Sequence, residues 1–276
     1  MKRSGYAVGM MMWVGLLSSA CASAPEAEVD VDAPGLEPMA YGLPGTNGIP
    51  KAAWHKWKGT IAKALKTPLM DGDVMNPKVA GAGDPEQGGD ERLLRHLLEC
   101  TVGGEASEGE ASEGMVSGAS AWRQGGLEEQ VINNVLECVI AFVNDKMDGV
   151  DILISGAQLD GEEHPDFMHR EAVWCANARG GAVYVDVYTT ASLERGCGID
   201  AEAALAQRYC TEGEEAFAEC GLDYRGLLER SRCREVEPSE YGHQGGQYEC
   251  GGRLCTMTWL TDITPDWCQP PPPPPT

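Results

Sequence analysis

Phenylalanine is nearly absent, with 3 residues in 276, while glycine reaches 35 and the hydrophobic fraction is 42%. That leaves a thin apolar core for the length, which the 11 cysteines would compensate by covalent bracing. Basic charge is also scarce: 21 Lys and Arg against 43 acids give a formal charge of −22. Such a field makes nucleic acid and anionic membrane surfaces poor partners. Beyond the N-terminal segment, no stretch reaches the roughly 18 apolar residues that a membrane span needs. No Gly-x-Ser-x-Gly elbow, phosphate-cradling glycine loop or Cys-x-x-Cys pair occurs, so none of those routes to catalysis or zinc binding is signalled.

The strongest pattern runs from Leu127 to Ser155. Leu127, Val131, Val135, Val139 and Val143 step by four beside a second row, Ile132, Leu136 and Ile140. Two adjacent rows make one broad apolar stripe, predicting a helix from about Leu127 to Lys146, with Gly149 as a left-handed stop. From Val150 the spacing changes to two, with Val150, Ile152 and Ile154 opposing Asp151, Leu153 and Ser155, which predicts a strand. Upstream, Glu91 to Cys100 repeats the helical pattern through Leu93, Leu94, Leu97 and Leu98, with Asp90 as N-cap. Cys100 ends that helix and Cys138 lies on the margin of the second stripe. A Cys100–Cys138 bridge stapling two packed helices is therefore expected, worth about 3 to 4 kcal/mol in the chain-entropy model.

Lys2 and Arg3, an apolar run from Tyr6 to Leu17 and the small residues before Cys21 have the layout of an export signal. Leu17 to Cys21 resembles a bacterial lipobox, making Cys21 the acylated residue of residues 1–21. Cleavage near Ala22 or Ala24 would instead release a secreted chain. Acylation leaves an even number of cysteines, Cys100, Cys138, Cys175, Cys197, Cys210, Cys220, Cys233, Cys250, Cys255 and Cys268, which reads as a disulfide framework in an exported protein.

Residues 22–50 read as a disordered tether rich in Pro, Gly and acids. Residues 51–69 carry five of the eight lysines and no acid, with Trp54, Trp57, Ile61 and Leu65 at helical spacing. This basic amphipathic helix either lies on a membrane interface or, as preferred here, docks on the acidic body of its own chain. Within residues 101–120 a tandem Glu-Ala-Ser-Glu-Gly repeat reads as a disordered acidic loop. Residues 162–171 read as a polar loop and Ala172 to Asn177 has no clear period. Val183, Val185 and Val187 alternate with Tyr184, Asp186 and Tyr188 as a half-buried strand. Asp200 to Cys210 predicts a capped helix, with weaker helices at Glu214 to Cys220 and Tyr224 to Arg232. Cys255 to Thr261 predicts a further strand, and 269–276 a polyproline tail. The fold class expected is α+β: a small disulfide-braced domain over 90–268, with two packed helices and a few short strands.

His164 and His169, among Glu162, Glu163, Asp166 and Glu171, form the densest ligand cluster and are the candidate metal ligands. Their spacing, with Pro165 between them, does not match the helical His-Glu-x-x-His arrangement. Asn144 to Gly149 superficially suits a calcium loop, but Lys146 and Asp151 occupy positions that need an oxygen ligand and an apolar residue. Cys250 and Cys255 with His243 could be drawn as a zinc site, although an oxidising compartment favours disulfides. No catalytic residue and no cofactor is implied.

Several short segments resemble those of a group of cysteine-rich predicted lipoproteins of myxobacterial type. They are Leu97 to Cys100, Glu137 to Asn144, Trp174-Cys175, Cys220-Gly221, Tyr248-x-Cys250 and Met257 to Leu260, across roughly residues 93 to 261. The resemblance implies a bacterial envelope location and transfers no functional residue. The function expected is that of an exported, lipid-anchored envelope protein with a non-catalytic structural or interaction role, whose membrane contact is the acylated Cys21. The alternatives are an extracytoplasmic metal-assisted hydrolase using His164 and His169, and a secreted inhibitor-like ligand.

Overall fold

Alternating apolar side chains build an eight-stranded sheet in this computed structural model, which describes residues 42–71, 74–102, 122, 125–145, 149–155, 166–180, 182–210, 221–237 and 247–261. The main path runs β1 (Gly42–Thr46), β4 (Asp151–Ser155), β10 (Arg253–Leu260), β5 (His169–Arg179), β6 (Ala182–Thr189), β7 (Asp223–Leu227). A flap of β8 (Arg234–Glu237) and β9 (Gln247–Cys250) branches from β10. Pairing along the path is antiparallel apart from β6 with β7. A short ribbon, β2 (Met70–Asp71) with β3 (Val74–Met75), stands apart from this sheet. The described helices are α1 (Lys51–Ala64), α2 (Pro77–Ala80), α3 (Glu91–Val102), α4 (Glu129–Ala141), α5 (Ala191–Cys197) and α6 (Ala201–Tyr209). The class is α+β, and it is larger than two helices with a few strands. All described residues belong to one compact unit, Glu37–Thr276.

The central strands of the sheet are buried on both faces. Ile152, Ile154, Ala172, Trp174, Val185 and Val187 join the core shared with the helices. Leu153, Val173, Cys175, Met257 and Trp259 form a second core with Tyr248 and Cys250 of the flap. The expected strands at 150–155, 183–188 and 255–261 are present as β4, β6 and β10. Helices α3 and α4 are joined by Cys100–Cys138, with Cα atoms 5.9 Å apart. Cys175–Cys255 and Cys233–Cys250 are also bridged, and Cys197 and Cys210 are oxidised. Disulfides at this density point to an extracytoplasmic protein. Among the described residues no helix is long and apolar enough to cross a membrane.

Five expectations are corrected. Helix α4 stops at Ala141 rather than near Lys146, because Phe142 to Asn144 turn aside to bond the 47–49 segment: the N–H groups of Gly48 and Ile49 donate to Phe142 O, and that of Asn144 to Ile49 O. Gly149 is not a left-handed stop; a side chain there would collide with Thr46, its Cβ only 2.3 Å from Thr46 Cγ2. The tether does not extend to residue 50, since Gly42–Thr46 pairs with β4 and Ile49 is fully buried. Residues 224–232 are not helical: Gly226 has φ +92°, and Asp223–Leu227 pairs with β6 before a 3-10 turn at Leu228–Arg230. The loop assigned to 162–171 likewise ends early, because β5 begins at His169. Cys21, Cys220, Cys268, His243 and residues 103–121, 214–220 and 269–276 lie outside the described residues.

Two buried polar arrangements tie α4 to the sheet. The ladder between β5 and β10 runs to Trp174↔Thr256; further along β5, the N–H groups of Ala176 and Ala178 donate to side chains of α4 instead. Glu137 Oε1 accepts from Ala176 at 2.8 Å and Asn133 Oδ1 from Ala178 at 3.0 Å. Four residues of helix rise about 6 Å and two residues of strand about 6.6 Å, so an i, i+4 pair fits an i, i+2 pair. The other carboxylate oxygen of Glu137 accepts from Thr256 Oγ1 at 3.0 Å. At the helix C-terminus, the fully buried Arg208 forms a bidentate pair with the fully buried Glu171, at 2.7 and 3.0 Å. Its Nη1 donates to Ala141 O and Val143 O, carbonyls at and beyond the last turn of α4. The guanidinium also lies 5.6 Å from the centre of the Trp174 ring.

Arg208→Met strands a buried carboxylate and two carbonyls, and is expected to cost about 3 to 5 kcal/mol in urea unfolding. The double variant Arg208→Met/Glu171→Met should cost less than the single one; equal or greater loss would show that the pair is not the reason. Burial pushes the Glu137 carboxyl well above its ordinary value of 4.5. Its folded value exceeds its unfolded one, so its contribution is whole below pH about 4.5 and is lost as pH rises through the folded value. Glu137→Gln keeps an acceptor for the Ala176 N–H, meets Thr256 Oγ1 as a donor instead of an acceptor, and should gain stability over wild type at neutral pH, with the difference vanishing in acid. A pH-independent difference would contradict this.

Candidate functional site

Helix α1 turns Trp54, Trp57, Ile61 and Leu65 into the core, so its tryptophans are spent on packing and not on a lipid interface. Its first turn is held by Asp145, whose Oδ1 accepts from Lys51 N–H at 3.0 Å. Asn144, beside it, donates to Asn47 Oδ1 at 2.7 Å. These ties account for the Asn144-Asp145 pair that superficially suited a calcium loop.

The lysine-bearing face of α1 meets the start of β6 in an open groove of about 380 Å³. Lys56, Lys58, Lys63 and Thr60 line the helix side and Tyr184 the sheet side. Alternation along β6 buries Val183 and Val185 and leaves Tyr184 63% exposed. Lys56 and Lys63 are exposed and Lys58 half-buried. Among the described residues, none of the three lysines lies within 4 Å of a carboxylate, in a chain with about two acids for each basic residue. Burial alone lowers the Lys58 ammonium from its ordinary value, with no neighbouring anion to restore it. The arrangement supplies three ammonium donors, a hydroxyl and an exposed aromatic ring, which suits a small anion or the anionic end of a larger ligand. The basic run was visible in the sequence; that Tyr184 faces it was not.

The other candidate residues are placed differently. His164 lies outside the described residues, and His169 is half-buried in β5, paired with Leu260. Glu171, two residues on, is committed to Arg208 and withdrawn from any shared cluster with the exposed Asp166. Cys175, Cys250 and Cys255 bring three buried sulfurs within 4.8 Å of one another, but in the folded protein all three are held in disulfides, which removes them as metal ligands. His96 stacks on Phe142 at 4.0 Å, with Nδ1 2.6 Å from Glu99 Oε2. That contact holds the Glu99 carboxyl below its usual range, as Arg92 does for Asp90, and both belong to the packing of α3.

By NMR of the lysine side chains, Lys58 should titrate below the usual lysine value, and saturation with inorganic phosphate should move it upward. A normal value, or one indifferent to phosphate, would contradict the groove as an anion site. No family model, curated protein or solved structure matches this chain.

Proposed function

We propose that this chain is an exported, lipid-anchored envelope protein whose folded body acts as a non-catalytic binding module, taking an anionic ligand in the groove between α1 and β6. The observation that carries the binding role is the trio Lys56, Lys58 and Lys63, unpaired with carboxylates among the described residues of a strongly acidic chain. Burying an ammonium without a partner costs stability, and an anion arriving at Lys58 recovers that cost as affinity. Repulsion from the rest of the surface screens out anions that do not reach the groove. Export is supported by the signal-like N-terminus and the oxidised cysteines, and anchoring by Cys21 in its lipobox-like context. The resemblance to cysteine-rich lipoproteins supports the same location.

Two measurements test the parts separately. Intact-mass analysis of protein from its host should show a diacyl or triacyl increment on Cys21, and a mature terminus at Ala22, Ser23 or Pro25 would remove the anchor. Calorimetry with inorganic phosphate should show binding that Lys58→Met weakens about tenfold, equivalent to 1.4 kcal/mol, and that added salt reduces. Binding untouched by that substitution, or none at all, would overturn the groove.

A further inference from the structure

Two disulfides share one small volume on the flap side of the sheet. Cys175–Cys255 joins β5 to β10 one register step beyond Trp174↔Thr256. Cys233–Cys250 joins the approach to β8 with the end of β9. Strand β9 folds back on β10, with Cys250 opposite Arg253 and Tyr248 opposite Cys255. This hairpin brings Cys250 Sγ within 4.8 Å of both Cys175 Sγ and Cys255 Sγ. Exposure is uneven: Cys175 is 0% exposed and Cys250 and Cys255 each 1%, whereas Cys233 is only partly buried. Arg253 Nη1 approaches the Cys175 carbonyl at 3.5 Å, while its Nη2 pairs with Asp186.

We infer that these four cysteines form a redox-reactive relay, in which an external dithiol enters at Cys233 and the exchange passes inward through Cys250 to the Cys175–Cys255 bond. A thiolate of the dithiol attacks Cys233 Sγ, the accessible end. The Cys233–Cys250 bond breaks, a mixed disulfide forms on Cys233, and Cys250 leaves as a thiolate carrying the electron pair. That thiolate is buried in an apolar cluster, which disfavours its charge. Relieved of its bond, it needs to close only from 4.8 Å to the about 3.5 Å of an attacking pair. Attack on Cys175 or Cys255 forms a new disulfide, breaks the old one, and expels the other sulfur as a thiolate that takes a proton. The second thiol of the reductant then clears the mixed disulfide from Cys233 and departs as a cyclic disulfide. The dithiol has given two electrons and two protons, and the protein has one disulfide fewer.

The structural result is a transferred staple. Cys250 keeps β9 pinned to the sheet through its new partner, while among the described residues β8 retains its short ladder to β9 and the exposed Arg234–Glu249 pair. Reduction at this site therefore loosens β8 selectively. The Cys100–Cys138 bond, both residues at most 2% exposed and on the helical side, has no such entry point.

The test is partial reduction of the native full chain with limiting dithiothreitol, acid quenching, alkylation and peptide mapping. The expected pattern is alkylated Cys233 together with alkylated Cys255 or Cys175, and a newly linked Cys175–Cys250 or Cys250–Cys255 peptide that rises as the Cys175–Cys255 peptide falls. Alkylation of Cys233 and Cys250 as a pair, with Cys175–Cys255 intact, would overturn the relay. So would Cys100–Cys138 opening first. Cys233→Ser gives a second reading, because it creates the Cys250 thiol without any reductant: purified folded variant should carry Cys250 linked to Cys175 or Cys255, and a persistently free Cys250 would refute the transfer.

Discussion

The architecture depends on where β5 runs out of strand partners. Past Trp174 its ladder with β10 ends, yet Ala176 and Ala178 remain in the interior, and a buried N–H left without an acceptor costs about 1 to 3 kcal/mol. Asn133 and Glu137 supply the acceptors, and in doing so fix α4 in both position and rotation against the sheet. With α4 fixed, Cys138 faces Cys100 and α3 is stapled in place, while the turn after Ala141 is left for Arg208 to hold. Helix α4 is thus a covalent, polar and apolar junction at once. Its ionisable member, Glu137, is penalised in its charged form by desolvation that its hydrogen bonds offset only in part.

The two faces of the sheet are closed by different means. On the helical face tryptophan replaces the missing phenylalanine: Trp54, Trp122 and Trp174 are fully buried, and Tyr209 packs 6.1 Å from Trp174. The core is therefore less thin than the composition suggests, and disulfides supplement it. On the opposite face no helix covers the central strands among the described residues. A four-residue strand pair cannot bury enough area to hold itself there, and sulfur does what area cannot, through Cys233–Cys250 and Cys175–Cys255. The lysine groove lies outside both closures, at the seam where α1 meets the start of β6.

Much of this was legible where one face is wet. Helix α3 with its Asp90 cap, the capped α6 and the alternating β6 expose one side, so their periods survive in the sequence. Helix α4 is buried from Ile132 to Ala141 and stays legible because Asn133, Asn134 and Glu137 interrupt its apolar rows, and the Cys100–Cys138 pair follows from α3 and α4. Strand β5 was illegible because Ala172 to Ala176 are buried on both faces, which erases the alternation. Strand β1, Gly-Leu-Pro-Gly-Thr, has the composition of a linker and is a strand only because β4 offers an edge. Glu171 and Arg208 are 37 residues apart, and nothing local marks either as paired. For the site, the run of lysines was readable as an anomaly, but its groove is made by Tyr184, whose side of the sheet depends on the whole topology.

Hydrogen exchange at the two amides past the end of the ladder tests the account most directly, since the placement of α4 against the sheet rests on them. The N–H groups of Ala176 and Ala178 should exchange as slowly as that of Trp174, in one cooperative unit with α4. Exchange at loop-like rates, while Trp174 stays protected, would mean that Asn133 and Glu137 do not hold the strand and that α4 is positioned by something else.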